Sequence, residues 1–356
     1  MKRKYKRLII ICLTIVILLF GIVPLGLAAY VYDMNFGNRY ETESYMSNAL
    51  SDFDGLQATK HTFPSNKGQM LAGYNYYKEG SNKKGVIVLA HGLGGGGHNS
   101  YMDVIDYFTT HGYYVFAFDA TGNDESEGEK VGGLPQMVID LNHALDYISQ
   151  DDVLQAMPKV LWGQSWGGYG VSSVLNIRDD IQAVISVSGF NGTQNLLEEQ
   201  GREQAGDMAD VLMPYFAVTE WLKYGPFSTY TSLDGYEGSD ARVMIIHSVD
   251  DDMISIENSF DVYHERFKDD ERFTFIKYDN RGHNYTYYTD ASSAYIHAFD
   301  EAFKAYRDSK DEKLTAQEKA AYMEEHLDRA QAFELDEEIM GQMVAFYDES
   351  LSGLTD

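Results

Sequence analysis

Seven short apolar runs, at residues 70–77, 85–90, 114–119, 159–163, 183–188, 242–247 and 272–277, alternate with helix-length segments at 101–111, 135–150, 166–176, 256–267 and 291–306. Strand-sized runs spaced this way are joined by crossover helices. The chain therefore reads as an α/β fold, a mostly parallel sheet with helices on both faces. Its 356 residues suit one large domain or two smaller ones, and no internal repeat is visible. A hydrophobic share of 44 % against 23 % charged residues supports a large core. Acidic residues outnumber basic ones 55 to 28, giving a net charge of −27. Phosphate backbones are gripped through Lys and Arg, so this balance argues against a nucleic-acid partner. The single cysteine, Cys12, rules out an internal disulfide framework and a multi-cysteine zinc site.

The amino end carries its own signal. Lys2, Arg3, Lys4, Lys6 and Arg7 precede residues 8–31, which contain no charged side chain. At 1.5 Å per residue such a helix crosses a ~30 Å hydrocarbon layer. Basic flanks stay cytoplasmic, so residues 1–7 are expected inside and everything after Tyr32 on the extracytoplasmic side of the cell membrane. Two readings compete with this single-pass anchor: a signal peptide cleaved near Leu27-Ala28-Ala29, leaving a secreted protein, and a hydrophobic helix of a soluble fold. A signal peptide's apolar region usually runs ~7–15 residues, shorter than this one, which favours the uncleaved anchor. Cys12 sits early in the run and reads as a membrane-embedded apolar residue, not a lipid-attachment site.

Residues 32–58 are polar and tyrosine-bearing with little periodicity, and read as a stalk leading into a folded domain at 59–307. Between two strands, residues 190–240 interrupt the alternation with Met208, Met213, Tyr215, Phe216, Trp221, Tyr224, Phe227 and Tyr230. This insertion is expected either to cap a pocket or simply to pack its own helices. Residues 308–356 hold 14 acidic and 4 basic side chains interleaved with apolar ones such as Leu314, Tyr322, Phe333, Met343 and Phe346. That spacing suits amphipathic helices docked on the domain's flank. A surface for a protein partner is the alternative use of this acidic extension.

The chemistry concentrates in Gly163-Gln164-Ser165-Trp166-Gly167-Gly168, which follows the apolar run Lys159-Val160-Leu161-Trp162 and precedes a helical segment. In that context a G-x-S-x-G sequence is a nucleophile elbow, whose small residues allow a sharp strand-to-helix turn with the serine at its tip. Ser165 is the candidate nucleophile. A second glycine-rich stretch, His91-Gly92-Leu93-Gly94-Gly95-Gly96-Gly97, follows the strand at 86–90. It can bring a backbone N–H to a reacting carbonyl, so the N–H groups of Leu93 and Trp166 are the expected oxyanion donors. A phosphate-cradling loop is disfavoured because the G-x-x-x-x-G-K-[ST] arrangement is missing. His91 is expected to be a structural hydrogen bonder.

A serine hydroxyl needs a base oriented by an acid. The strand at 242–247 is followed by Asp250, Asp251 and Asp252, three candidate acids. Of the ten histidines, His283 combines a loop after the last strand, a preceding glycine and a place in the order Ser, Asp, His. His247 reads as a packed neighbour, and His264 and His297 fall in helical runs. Histidine suits the task because its ordinary pKa of ~6.5 lets it take and return a proton near neutrality.

These segments resemble the α/β-hydrolase superfamily, and within it the monoacylglycerol lipase, lysophospholipase and serine aminopeptidase-like branch. His91 to Gly94, Tyr114 to Asp119 and Gly163 to Gly167 fall in that family's order. The acid loop is similar to its His-Gly-x-x-Asp pattern at His247, Ser248 and Asp251, which selects Asp251, and His283-Asn284 is similar to its Gly-His-Asn loop. The resemblance spans residues 60–306. It departs at Ala120 to Gly128, where the family often has Arg-Gly-His-Gly-x-Ser, and at Ser248, which replaces a common glycine. It implies an α/β-hydrolase fold and a serine hydrolase; with the amino-terminal anchor and the apolar insertion, the chain reads as a membrane-anchored hydrolase of a small-molecule or lipid-like acyl substrate, with esters ahead of peptides. It requires no metal and no organic cofactor. A non-catalytic binding module on the same fold is the rival from another class.

Overall fold

The computed structural model describes residues 2–80, 83–310 and 312–352. At its centre is an eight-stranded sheet in the order β1-β2-β4-β3-β5-β6-β7-β8. The strands are β1 (Leu56–Pro64), β2 (Met70–Lys78), β3 (Val86–Ala90), β4 (Tyr114–Phe118), β5 (Lys159–Gln164), β6 (Ile181–Val187), β7 (Arg242–Ser248) and β8 (Phe273–Tyr278). Strand β2 runs antiparallel to β1 and β4, and the other pairs are parallel. The helices are α1 (Lys2–Ile17), α2 (Val23–Phe36), α3 (Met102–Thr110), α4 (Gln136–Ile148), α5 (Trp166–Ser173), α6 (Thr193–Ala205), α7 (Ala209–Tyr224), α8 (Ser232–Gly238), α9 (Phe260–Phe267), α10 (Asp290–Asp308), α11 (Ala316–His326), α12 (Arg329–Ala332) and α13 (Glu337–Leu351).

Strand side chains alternate in direction, so the central strands feed two cores. Val86, Val88 and Ala90 of β3 join the apolar cluster that includes residues of α4, α5 and α9. Ile87 and Leu89 join the opposite cluster, built with α3 and α13. Helix α13 buries Ile339, Met340, Met343, Val344, Phe346, Tyr347 and Leu351, a stripe at helical spacing. The Tyr347 hydroxyl donates to the Leu161 carbonyl of β5 at 2.6 Å. The end of the acidic extension is thus half of one helical layer, packed against the sheet itself, while α10, α11 and α12 contribute to a smaller cluster around Phe299 and Met323.

Two differences from the sequence expectation stand out. Strand β1 was not among the seven expected runs: Thr59 and Lys60 are exposed on an edge strand, so its apolar alternation is weak. Residues 32–58, expected as a stalk, lie against the domain instead. Tyr40 exchanges backbone hydrogen bonds with Gly122 and Asp124 at 3.0 Å each. The Thr42 amide donates to Asp124, and the Asn48 amide to Asn99, both at 2.6 Å. These bonds fall on backbone and loop polar groups, which leave no periodic trace in a sequence.

The amino-terminal helix runs from Arg3 to Phe36, long and apolar enough to cross a membrane by length and composition. A short π-helical stretch at Leu18–Ile22 joins α1 to α2 ahead of Pro24. Its last turns do not project freely: Ala28, Tyr32 and Phe36 are buried, and the Tyr32 hydroxyl donates to Glu220 of α7 at 2.7 Å.

Candidate active site

Ser165 occupies the turn between β5 and α5 with φ 58° and ψ −116°, a conformation a side-chain-bearing residue adopts at a cost. The turn exists because its neighbours lack side chains. A methyl group at Gly163 would overlap the Gly167 carbonyl, and one at Gly167 would overlap the Ala90 carbonyl. The Ser165 amide is held by the Val187 carbonyl at 2.8 Å, which leaves its hydroxyl at the carboxyl end of the sheet.

His283 follows β8 on a loop whose Gly282 has φ 56°, in the left-handed region that favours glycine. Its Nε2 lies 2.9 Å from Ser165 Oγ. Its Nδ1 lies 2.8 and 3.0 Å from the two oxygens of Asp251. Asp251 Oδ1 also accepts from the Met253 and Ile254 amides at 2.9 Å each. Burial pushes the Asp251 carboxyl up, but hydrogen bonds and charge from His247 and His283 outweigh it and hold the group well below the usual carboxylate range. The structure thus brings Ser165, His283 and Asp251 together in one hydrogen-bonded chain.

The other candidate acids do different things. Asp250 Oδ1 accepts from the Gly282 amide at 2.8 Å and from Ser248 Oγ at 2.5 Å, while Ser248 Oγ accepts from the Arg281 amide at 2.9 Å. Both residues therefore tether the histidine loop to the acid loop. Asp252 is exposed. His247 is buried with its Nε2 3.1 Å from Asp251 Oδ2 and 3.1 Å from the Ile254 carbonyl, so it packs as expected and also braces the acid. His91 is buried; its Nε2 accepts from the Ala120 amide at 2.9 Å, and burial lowers its pKa, which fits a neutral structural ring.

Gln164 was passed over in the motif. Its side chain accepts from the Tyr101 hydroxyl at 2.8 Å and donates to Asn284 Oδ1 at 3.1 Å, while that hydroxyl accepts from the Gly92 amide at 2.9 Å. One amide thereby connects the glycine loop with the histidine loop, which explains a hydrogen-bonding residue immediately before the serine. Leu93 and Trp166 both line the cavity that holds Ser165 and His283. Trp166 is the first residue of α5, so its N–H has no acceptor within the helix.

The cavity encloses about 620 Å³ and is walled by Phe190, Leu196, Leu197 and Phe216 from the 190–240 segment, with Tyr32 and Phe36 from α2. Tyr288 also lines it, and its hydroxyl bonds Asp103 at 3.0 Å. Burial pushes the Asp103 carboxyl up to about 6, against a partial lowering by the Val104 amide and Tyr288. A raised carboxyl favours the folded state while protonated, and that advantage is lost as pH rises from ~3.9 through about 6. Replacing Asp103 with Asn should therefore leave stability unchanged at pH 4 and raise it by about 1–3 kcal/mol above pH 6, measured by urea unfolding at both pH values.

Comparison with known proteins agrees with this architecture. The family model described as Serine aminopeptidase, S33, matches residues 81–237. An esterase from Pyrococcus furiosus superposes with a TM-score of 0.53 at 15 % identity, covering 76 % of this chain and 96 % of its own. An acetyl xylan esterase from Paenibacillus sp. R4 gives 0.52 at 16 % identity, covering 70 % of this chain and 84 % of its own. Est1E from Butyrivibrio proteoclasticus, in a structure with ferulic acid bound, gives 0.51 at 16 % identity and covers 70 % and 100 %. A sequence search of curated proteins finds no match. Eight strands in this order, a serine at the turn after β5, and these similarities lead to one assignment: the chain has an α/β-hydrolase fold.

Proposed function

We propose that the chain is a membrane-anchored serine hydrolase that cleaves acyl esters, with its domain on the extracytoplasmic side. The observation that carries this reading is the continuous contact from Ser165 Oγ through His283 to Asp251, at 2.9 and 2.8 Å. His283 Nε2 accepts the Ser165 proton as Oγ attacks the ester carbonyl carbon. The carbonyl oxygen becomes an oxyanion facing the Leu93 and Trp166 N–H groups. Collapse expels the alcohol, which takes the proton from His283 and leaves an acyl-Ser165. Water, deprotonated by His283, then releases the acid and restores the serine hydroxyl. Asp251 stays ionised throughout, holding the ring's Nδ1–H toward itself and stabilising the imidazolium. The chemistry calls on no metal or organic cofactor.

An ester is favoured over a peptide by the cavity wall. An aminopeptidase needs a free carboxylate to hold the substrate's α-ammonium group; among the described residues the acidic side chain on the wall is Glu43, which is paired with Lys319 at 3.5 Å. Two proteins of similar fold, from Pyrococcus furiosus and Paenibacillus sp. R4, are esterases. The test is turnover of p-nitrophenyl esters of increasing acyl length by the full chain in detergent. The apolar walls predict kcat/KM rising from acetyl to medium chains by about tenfold or more, at ~0.8 kcal/mol for each CH₂ that is buried. Cleavage of aminoacyl amides in preference to every ester would overturn the reading.

A further inference from the structure

Helix α7 presents an apolar face that no described residue covers. Met208, just before the helix, and Val211, Val218 and Leu222 within it are 70, 60, 45 and 67 % exposed, and their spacings of three, seven and four put them on one side. Single exposed apolar residues are ordinary on a protein surface, but a continuous stripe marks an interface. Between Val211 and Leu222 the one charged side chain is Glu220, which is buried and accepts hydrogen bonds from Tyr32, Thr193 and Gln194. Nearby Arg202 is ion-paired with Glu198 and Asp210 at 2.7 and 2.9 Å.

This stripe is continuous with the amino-terminal helix. Tyr215, which shares its spacing, donates its hydroxyl to the Phe20 carbonyl at 2.6 Å. Pro24, four residues beyond Phe20, has no N–H to give that carbonyl. In hydrocarbon an unpaired carbonyl is costly, and the Tyr215 hydroxyl supplies the partner. About 20 residues counted from Leu8 cross a ~30 Å layer and end near Leu27, so Phe20 lies on the lipid side of that boundary. The same helix then reaches the catalytic cavity, where Val31, Tyr32, Asn35 and Phe36 form one wall and Phe216 of α7 another.

We propose that α7 lies in the leaflet on the domain's side of the membrane, beside the amino-terminal helix, and that the cavity fills laterally from that leaflet with the acyl chain of an amphiphilic ester. The substrate part rests on the serine-hydrolase reading above and narrows its substrate class. An interfacial helix of this kind buries its apolar face ~5–10 Å into the acyl boundary, which is deep enough to receive the Met208, Val211, Val218 and Leu222 side chains. The acyl chain then passes from lipid to an apolar wall without crossing water.

The test uses the full chain with Cys12→Ser, carrying Val218→Cys or Leu222→Cys labelled with an environment-sensitive fluorophore and reconstituted in phosphatidylcholine vesicles. Nitroxide-bearing lipid should quench both labels and aqueous iodide neither, while a label at Glu271→Cys, at the far end of the sheet, should show the reverse. Quenching of positions 218 and 222 by iodide and not by lipid overturns the docking, whatever the protein's catalytic competence. In a second arm, Val211→Glu and Leu222→Glu should cut hydrolysis of a long-chain ester carried in the vesicles by about tenfold or more, with turnover of a dissolved acetyl ester held within about twofold. Loss on neither substrate, or equal loss on both, overturns lateral filling. A wild-type chain that hydrolyses no ester counts against the hydrolase reading itself, and the quenching result then decides the docking alone.

Discussion

On the proposed function, Ser165→Ala should lower kcat for ester hydrolysis by about six orders of magnitude and leave the melting temperature unchanged. The size follows from how a nucleophile and base act as a unit: removing either removes the covalent route, and the residual rate comes from binding and the oxyanion donors alone. The unchanged stability follows from the backbone. The strained turn at φ 58° is imposed by the Val187 carbonyl on the Ser165 amide and by the close approach at Gly163 and Gly167, none of which involves the hydroxyl. Alanine fits the same turn. Steady-state kinetics and a thermal melt of the full-length variant check both parts.

Asp251→Asn should lower kcat by about four orders of magnitude with little change in KM. Asparagine keeps the volume and one carbonyl oxygen, which still accepts from the Met253 and Ile254 amides that bond Asp251 at 2.9 Å. Its NH₂, however, now faces His283 Nδ1. The ring must carry its proton on Nε2 instead, pointing at Ser165 Oγ 2.9 Å away, and it can no longer accept one. Asp250→Asn offers the contrast. Its carboxylate supports the Gly282 amide and not the ring, so its effect should be far smaller than that of Asp251→Asn, and comparable losses in the two variants would contradict the separate roles given to these neighbours.

What could be read from the residues alone was whatever the sheet imposes on them. Buried parallel strands are continuous apolar runs, and the elbow's glycines are fixed by contacts within a few ångströms, so both leave local signatures. Choosing among Asp250, Asp251 and Asp252 took a resemblance, because a two-residue offset within a polar loop changes nothing that periodicity can register. Asp250 and Ser248 look like solvated loop residues until the histidine loop is placed against them. Strand β1 was hidden by being half-exposed, and residues 32–58 by bonding through backbone and small polar groups. The largest omission was the end of the amino-terminal helix. An apolar run predicts a span, but nothing in its composition says that Tyr32 and Phe36 will turn inward and wall the cavity that holds Ser165 and His283. A soluble fragment beginning at Lys60 would accordingly lack that wall and the first four residues of β1.

The central claim is that Ser165 is a nucleophile made reactive by His283 and Asp251. Its most direct test is fluorophosphonate labelling of the full chain, with the modified residue located by peptide mass spectrometry. The account predicts one adduct, on Ser165, forming rapidly in the wild type and far more slowly in Asp251→Asn. A folded wild-type chain that takes no label, or takes it on another residue, would contradict it.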